Sequence, residues 1–246
     1  MCLVLLAVDH CPGWPLVLAA NREEWHARPA TALDWWEDRP HVVGGRDAIG
    51  GGTWLGAHRD GRFATVLNDA RVSPPSGAPS RGGLVTAFLD APDPAAAVSA
   101  LHARRGAYAG FHLVMGWPGA GWYCGSRSDR PRALGPGIHA IGNAGPDPDA
   151  PRLRRARRRL EAELSAGGGV DGLLALLADP ADPGPGAGDA RPVFVNHPEF
   201  GTRSSTIYWV ADDGTALLHE RRFDSAGHVL GDCAREWRID PTPAGD

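Results

Sequence analysis

Four times along the chain, two short apolar segments stand on either side of a tight turn. "CLVLLAV" and "PLVLAANR" flank "DHCPGWP", and the halves of "GGTWLGAHRDGRFATVLND" flank "RDG". "GFHLVMGWPGAGWYCGS" folds about "PGAG", and "STIYWVAD" and "TALLHERRF" meet at "DDG". Short apolar runs bounded by Gly, Pro and Asp read as antiparallel hairpins. Between them lie helical patterns. "RGGLVTAFLDA" and "PAAAVSALHARR" are separated by "PDP". In "PRLRRARRRLEAELSAGGG", Leu153, Ala156, Leu160 and Leu164 share one stripe, Pro151 suits the first turn, and glycines end the helix. "VDGLLALLAD" is a further short helix, "GIHAIGNAG" a short strand ending in a turn, and "PADPGPGAGDARP" a loop. Hairpins, then helices, then hairpins predict a layered α+β domain.

The 246 residues fit a single domain over 1–246, with a C-terminal tail from about 235 to 246. A net charge of −4 disfavours non-specific binding to nucleic acid. No apolar run approaches the roughly 20 residues of a membrane span. The opening apolar run has no basic flank and does not read as a signal peptide, so a cytoplasmic protein is expected. Cys2, Cys11, Cys124 and Cys233 form no CxxC pair, and the histidines show no HExxH, so neither a metal site nor a disulfide framework is expected. All the basic residues are arginine. Without lysine, a Walker P-loop, a Schiff-base enzyme and a kinase of the usual type are excluded.

Cys2 stands directly before the first strand. Loss of Met1 would put a thiol and a free α-amine on one residue. A thiolate is the reactive form of cysteine, and an α-amine titrating near 8 is a ready base for it. Shared attachment to one Cα removes most of the ordering entropy. A strand cysteine with no chemical role gives the same dipeptide. In "LVLAANREEWHARP", four polar residues, Asn21, Arg22, Glu23 and Glu24, end an apolar strand. Strand alternation puts Asn21 and Glu23 on one face and Arg22 and Glu24 on the other, so all four line one site only if the strand breaks there. A surface salt-bridge cluster is the plainer reading of the same residues.

The segments "MC", "LAANREE", "RP", "GGTWLG", "GRFATVLND", "SRGGLV", "GNA" and "GTRSST" occur in that order. Together they resemble the NRDE family, named for an Asn-Arg-Asp-Glu motif and also called the transport-and-Golgi-organisation protein 2 family. The resemblance runs from residue 1 to about residue 222. Glu23 stands where the family has aspartate, which keeps the charge and adds a methylene. That family in turn resembles the cysteine N-terminal-nucleophile hydrolases. The resemblance implies a four-layer αββα sandwich of two antiparallel sheets between helices. It implies Cys2 as nucleophile, Asn68 and Asn143 as oxyanion donors, and Arg22, Glu24 and Arg203 as bracing groups. Asn21, Glu23, Trp25 and Trp54 are expected in substrate binding. Taken singly, Asn68 and Asn143 also read as turn asparagines, and Arg203 as a structural arginine.

The expected function is an amidohydrolase or acyltransferase that cleaves a non-peptide amide or acyl bond of a small molecule through an acyl-thioester, with no cofactor. The alternative is a haem or acyl-CoA and lipid carrier on the same scaffold, with arginines for propionates or phosphates and tryptophans for the apolar part. Trp25, Trp35, Trp36 and Trp54 fall near the expected site, where core packing accounts for most tryptophans. "GGRDAIGGGTWLG" lacks the spacing of a nucleotide-binding loop and reads as loop and hairpin. Arg152, Arg154, Arg155, Arg157, Arg158 and Arg159 make one helix basic, which reads as a solvated face or a docking face for an anionic partner.

Overall fold

The computed structural model describes residues 2–182, 184, 186 and 189–239. In chain order the strands are β1 (Leu3–Cys11), β2 (Trp14–Trp25), β3 (Ala30–Trp36), β4 (Arg39–Asp47), β5 (Leu55–His58), β6 (Phe63–Asn68), β7 (Phe111–Trp117), β8 (Ala120–Gly125), β9 (Arg132–Leu134), β10 (Gly137–Gly142), β11 (Phe200–Val210), β12 (Thr215–Phe223) and β13 (Val229–Arg238). The helices are α1 (Gly82–Leu89), α2 (Pro94–Ala103), α3 (Pro151–Ser165) and α4 (Val170–Leu177). The strands form two antiparallel sheets, ordered β10-β1-β2-β11-β12-β13 and β3-β4-β5-β6-β7-β8-β9.

Three apolar layers hold these pieces together. Val4, Leu6, Val8, Leu16, Leu18 and Ala20 of the first sheet meet Val43, Leu55, Phe63, Leu67 and Val114 of the second. On the outer face of the first sheet, Leu3, Leu5, Ala7, Val17 and Ala19 pack under α3 and α4. On the outer face of the second, Val42, Ala64, Phe111, Leu113 and Met115 pack under α1 and α2. The order is helices, sheet, sheet, helices: the αββα sandwich. Both faces of β1 and β2 are covered, which is why their sequences read as unbroken apolar runs rather than alternating ones.

The hairpins β1–β2, β5–β6, β7–β8 and β11–β12 form at the expected turns. Two expectations change. Gly44 to Asp47, expected in a loop, are the end of β4. Residues 235–238, expected in a tail, complete β13, which pairs along β12 from Thr215↔Arg238 to Phe223↔Val229. Alternating burial along β13 shows one face against the protein and one in solvent. The rest of the expected tail, 240–246, lies outside the described residues.

The glycines of "GGTWLG" and "SRGGLV" have a physical reason. The loop after β4 runs against the start of α1, and a Cβ on Gly52 would stand 2.6 Å from the carbonyl carbon of Gly82. Backbone is thus packed on backbone where no side chain fits. Gly52→Ala is expected to destabilise the fold by about 1–3 kcal/mol, the usual range for overpacking. The shift in urea midpoint at unchanged slope measures it.

Candidate active site

Strand register alone gathers the first members of the site. On β1, Leu3 pairs with Gly142 on one side and with Asn21 on the other. One step further, Cys2 lies between Asn143 and Arg22. Its side chain follows Val4, Leu6 and Val8 onto the face between the sheets and packs, half-buried, against their core. β2 does not break at its polar end but continues to Trp25. Arg22 and Glu24 therefore face the second sheet with the thiol, while Asn21 and Glu23 face the helices.

Asn143 is the hinge of the arrangement. Its Oδ1 accepts from the backbone N–H of Cys2, and its Nδ2 donates to the main-chain carbonyl of Asn68 at 2.5 Å. Only one orientation of the amide satisfies both contacts. Asn143 was expected to donate to an oxyanion; one of its two N–H donors is committed to Asn68, and its oxygen holds the nitrogen of Cys2. The side chain of Asn68 lines the cleft described below. Among the described residues it has no hydrogen-bond partner.

The electrostatics around the sulfur oppose one another. Burial pushes the Cys2 thiol above its ordinary value, with the Glu23 carboxylate adding to it. The hydrogen bond from Sγ to the Glu23 carbonyl, at 3.9 Å, and the Arg22 charge act the other way. A thiol held high needs a base to become a nucleophile. Arg22 is buried with its guanidinium 4.1 Å above the Trp54 ring and donates to Asp47 at 3.3 Å. Burial pulls its charge below the ordinary guanidinium value, with Glu24, Cys2 and Asp47 resisting. Asp47 is fixed in turn by Arg28 at 2.6 and 3.0 Å and by the N–H groups of Ile49 and Gly50. Glu24 accepts from the N–H of Trp25 and lies 3.8 Å from Arg28.

A cleft of about 890 Å³ opens at this end of the sandwich. Asn68, Ala70, Arg71, Asn143 and Ala144 form one wall, and Glu24, Trp25, Asp189, Arg191 and Phe200 the other. Trp25 and Phe200 meet edge to face at 5.7 Å. Cys2 is not among the residues lining this cleft; it lines a separate small void with Arg22, Trp54, Thr65 and Thr206, and reaches the cleft wall through its bond to Asn143. Among the described residues no group of three or more His, Cys, Asp or Glu is placed to hold a metal ion.

Two expected residues, Asn21 and Arg203, take other places, while Glu23 lines the cleft and is held there by Arg152. Asn21 donates to the carbonyls of Leu177 and Val193 and accepts from Ser205, which ties β2 to the helical layer. Glu23 pairs on the same outer face with Arg152, which is fully buried rather than on a solvated helix face. Arg203 donates to the carbonyls of Trp25, His26 and Arg28, closing the turn after β2, and none of its hydrogen bonds reaches Cys2.

Sequence reasoning missed Arg81. It donates to the Gly110 carbonyl at 3.0 Å, and burial pulls its guanidinium below the ordinary value against the opposing effect of Glu24 and Cys2. A second arginine therefore stands in the field of the thiol; its position just before α1, in "SRGG", was the available signal. Asp69, His112 and Tyr123 were missed as well. His112 and Asp69 are buried, and the Tyr123 hydroxyl is 2.7 Å from His112 Nδ1.

Two face-to-face antiparallel sheets between helices, with the residue-2 cysteine packed against the core between the sheets, define the class as a four-layer αββα sandwich. A sequence model of the Transport and Golgi organisation 2 (TANGO2) family matches residues 1–225, and the chain belongs to that family. The Bos taurus Transport and Golgi organization protein 2 homolog is 32% identical over 255 residues, covering 90% of this chain and 92% of that one. The Homo sapiens homolog is 30% identical over the same shares. The Drosophila melanogaster Transport and Golgi organization protein 2 is 34% identical over 102 residues, 38% of this chain and 36% of that one. Among solved structures, the Caenorhabditis elegans N-acylethanolamine-hydrolyzing acid amidase ortholog is similar over 83% of this chain and 91% of its own, at 10% identity and a TM-score of 0.46. No helix among the described residues is long and apolar enough to cross a membrane.

Proposed function

We propose that the protein is an N-terminal-cysteine amidohydrolase or acyltransferase acting on a non-peptide amide or acyl bond of a small molecule. The observation that carries this reading is the bridge made by Asn143 between the nitrogen of Cys2 and the carbonyl of Asn68, at the wall of the cleft. With Met1 removed, that nitrogen is a primary amine. Asn143 Oδ1 accepts one of its protons and so orients its lone pair. The amine takes the proton of Sγ, and the sulfur attacks the carbonyl carbon of a substrate bound in the cleft. The side-chain N–H of Asn68 receives the oxyanion. Return of the proton to the leaving nitrogen or oxygen yields the acyl-thioester, which water or an acceptor amine resolves. Arg22 and Arg81 stabilise the thiolate through their field, and Arg203 holds the turn rather than the sulfur. Trp25 and Phe200 offer an apolar wall to the acyl or amine part.

Intact mass of the purified protein tests the first requirement: the chain must lack Met1, and a substrate must leave an acyl adduct on its N-terminal peptide. A chain that keeps Met1 in the cell would overturn the reading. Asn68→Ala is expected to lower kcat by about a hundredfold, the usual loss for one oxyanion donor. Equal kcat in the variant would remove Asn68 from that role.

The pairing of Trp25 and Phe200 with Arg71 and Arg191 across one cleft favours a second reading, carriage of an anionic amphiphile such as an acyl-CoA. Haem fits less well: the described lining residues include no His, Met, Tyr or Cys to serve as an axial ligand. Stoichiometric binding of a long-chain acyl-CoA without thioester cleavage, unchanged in Cys2→Ala, would favour the carrier.

A further inference from the structure

Asn143 sits on a tight turn whose ends hold each other: Gly142 and Gly145 exchange both N–H bonds, at 3.2 and 2.9 Å. Gly145 has φ +88°, and a Cβ there would meet His112 at 3.2 Å and the Tyr123 hydroxyl at 3.3 Å. The turn therefore lies directly on those two side chains. His112 Nε2 is 3.1 Å from the carbonyl of Asn143, and Arg71 Nη2 donates at 3.0 Å to the carbonyl of Ala144. Two successive carbonyls of the turn are thus each gripped by one side chain.

Both gripping groups converge on Asp69. Its Oδ1 accepts from Arg71 Nε at 2.8 Å and its Oδ2 from Arg71 Nη2 at 2.8 Å, while His112 Nε2 is 3.5 Å from Oδ2. Burial works to raise the Asp69 carboxyl, and the bonds from Arg71 together with His112 outweigh it and hold it ionised. His112 Nε2 faces only acceptors, the Asn143 carbonyl and Asp69, so it carries the proton, and in the neutral ring Nδ1 is left to accept from the Tyr123 hydroxyl. Asp69 directly follows Asn68, so one short stretch carries both the cleft amide and the group that sets its partner.

We propose that Asp69 is a positioning residue which, through Arg71 and His112, fixes the Gly142–Gly145 turn so that Asn143 bridges Cys2 and Asn68. The consequence for chemistry rests on the hydrolase reading above; the grip on Asn143 does not. Asp69→Ala frees Arg71 and weakens the hold of His112, and the turn then samples positions in which the bridge is open. Arg71→Met removes one grip. His112→Gln keeps a donor at the position of Nε2 and is the conservative rescue, whereas His112→Asn keeps one only at the position of Nδ1.

The experiment reads two signals on the full chain. Exchange of the Asn143 side-chain protons, followed by NMR, reads the bridge. The pH profile of Cys2 alkylation by iodoacetamide, followed by peptide mass, reads its effect on the thiol. Asp69→Ala is expected to speed the exchange and slow the alkylation at pH 7, each by roughly tenfold, as suits loss of a buried charged partner. His112→Asn should behave alike and His112→Gln like the wild type. Arg71→Met should add little in the Asp69→Ala background, because the two act in one chain of contacts. If Asp69→Ala does not fold, the isosteric Asp69→Asn gives the same comparison. Wild-type exchange in folded Asp69→Ala and His112→Asn would overturn the positioning role. Wild-type Cys2 alkylated no faster than half-buried Cys233 would count against the hydrolase reading, and the exchange rates alone would then decide the role of Asp69.

Discussion

Cys2→Ala is expected to abolish turnover of any amide or acyl substrate, by on the order of 10⁴-fold or more, the scale seen when a nucleophile is removed from a working unit. The fold should survive, because the side chain is half-buried at the rim of the core and only one sulfur is lost. Alanine at position 2 also leaves the residue small, so Met1 can still be removed and the α-amine keeps its bond to Asn143. The substitution therefore takes away the nucleophile and nothing else in the unit. Substrate binding in the cleft should stay within a few-fold of the wild type, since Trp25, Phe200, Asn68 and Arg71 are untouched. Cys2→Ser is the sharper companion. It keeps the size and the hydrogen-bonding atom but has a far more basic hydroxyl, so it should be slow where alanine is silent. Steady-state assays with intact-mass detection of the acyl adduct measure both. Full activity in Cys2→Ala would end the proposed mechanism.

What sequence could reveal divides along strand logic. The period of two along β1 and β2 already paired Arg22 with Glu24 and Asn21 with Glu23 on opposite faces, and the structure keeps that pairing because the strand does not break. The segments that escaped reading are those whose neighbours decide their form. "ALDWW" and "HVVGGRD" carry charges, glycines and tryptophans that mimic a loop until β3 and β4 are seen side by side. β13 alternates polar and apolar residues because it is an edge strand, and that pattern looks like a tail when its partner is unknown. The helix α3 shows the same limit. Arg152, Arg155 and Arg159 sit among other arginines in sequence and look solvated. Yet Arg152 is fully buried against Glu23, and Arg155 and Arg159 share Asp179 at 2.7 and 2.8 Å. Partners supplied from far along the chain, such as Glu23 and Asp179, leave no local trace. For the candidate site, an ordered set of short motifs pointed to Cys2, Asn68 and Asn143, which the structure brings together. It did not find Asp69 or His112, whose importance lies in which carbonyls they face.

Arg152→Leu is expected to cost about 3–5 kcal/mol of stability, because it leaves the Glu23 carboxylate buried without its main partner. Arg152 donates to both oxygens of Glu23, to the Val193 carbonyl and to Asp189 at 3.4 Å, so one side chain joins α3, β2 and the segment before β11. Burial works against its charge, and Glu23 and Asp189 more than offset that, holding the guanidinium above its ordinary value. Burial also pushes the Glu23 carboxyl up, against the pull of Arg152 and Arg191. Removing Arg152 pushes it further, and the sign of the pH dependence follows. A carboxyl whose folded value is raised binds more protons in the folded than in the unfolded state, so stability falls as pH rises. The variant should thus be closest to the wild type in acid, below the ordinary carboxylate range. It should fall away as pH climbs through that range toward neutrality. Glu23→Gln in the Arg152→Leu background removes the buried charge and should recover part of the loss at pH 7, while leaving the acid values nearly unchanged. Urea unfolding of the three variants from pH 4 to pH 8 measures this. The damage should also reach the cleft. Glu23 offers its carbonyl to the thiol of Cys2 on one face of β2 while its side chain is held by Arg152 on the other. A loosened strand end moves both together, so Arg152→Leu should slow Cys2 alkylation even at pH values where the protein remains folded. Unchanged stability at pH 7 would mean that Arg191, 3.7 Å from Glu23, holds the carboxylate alone.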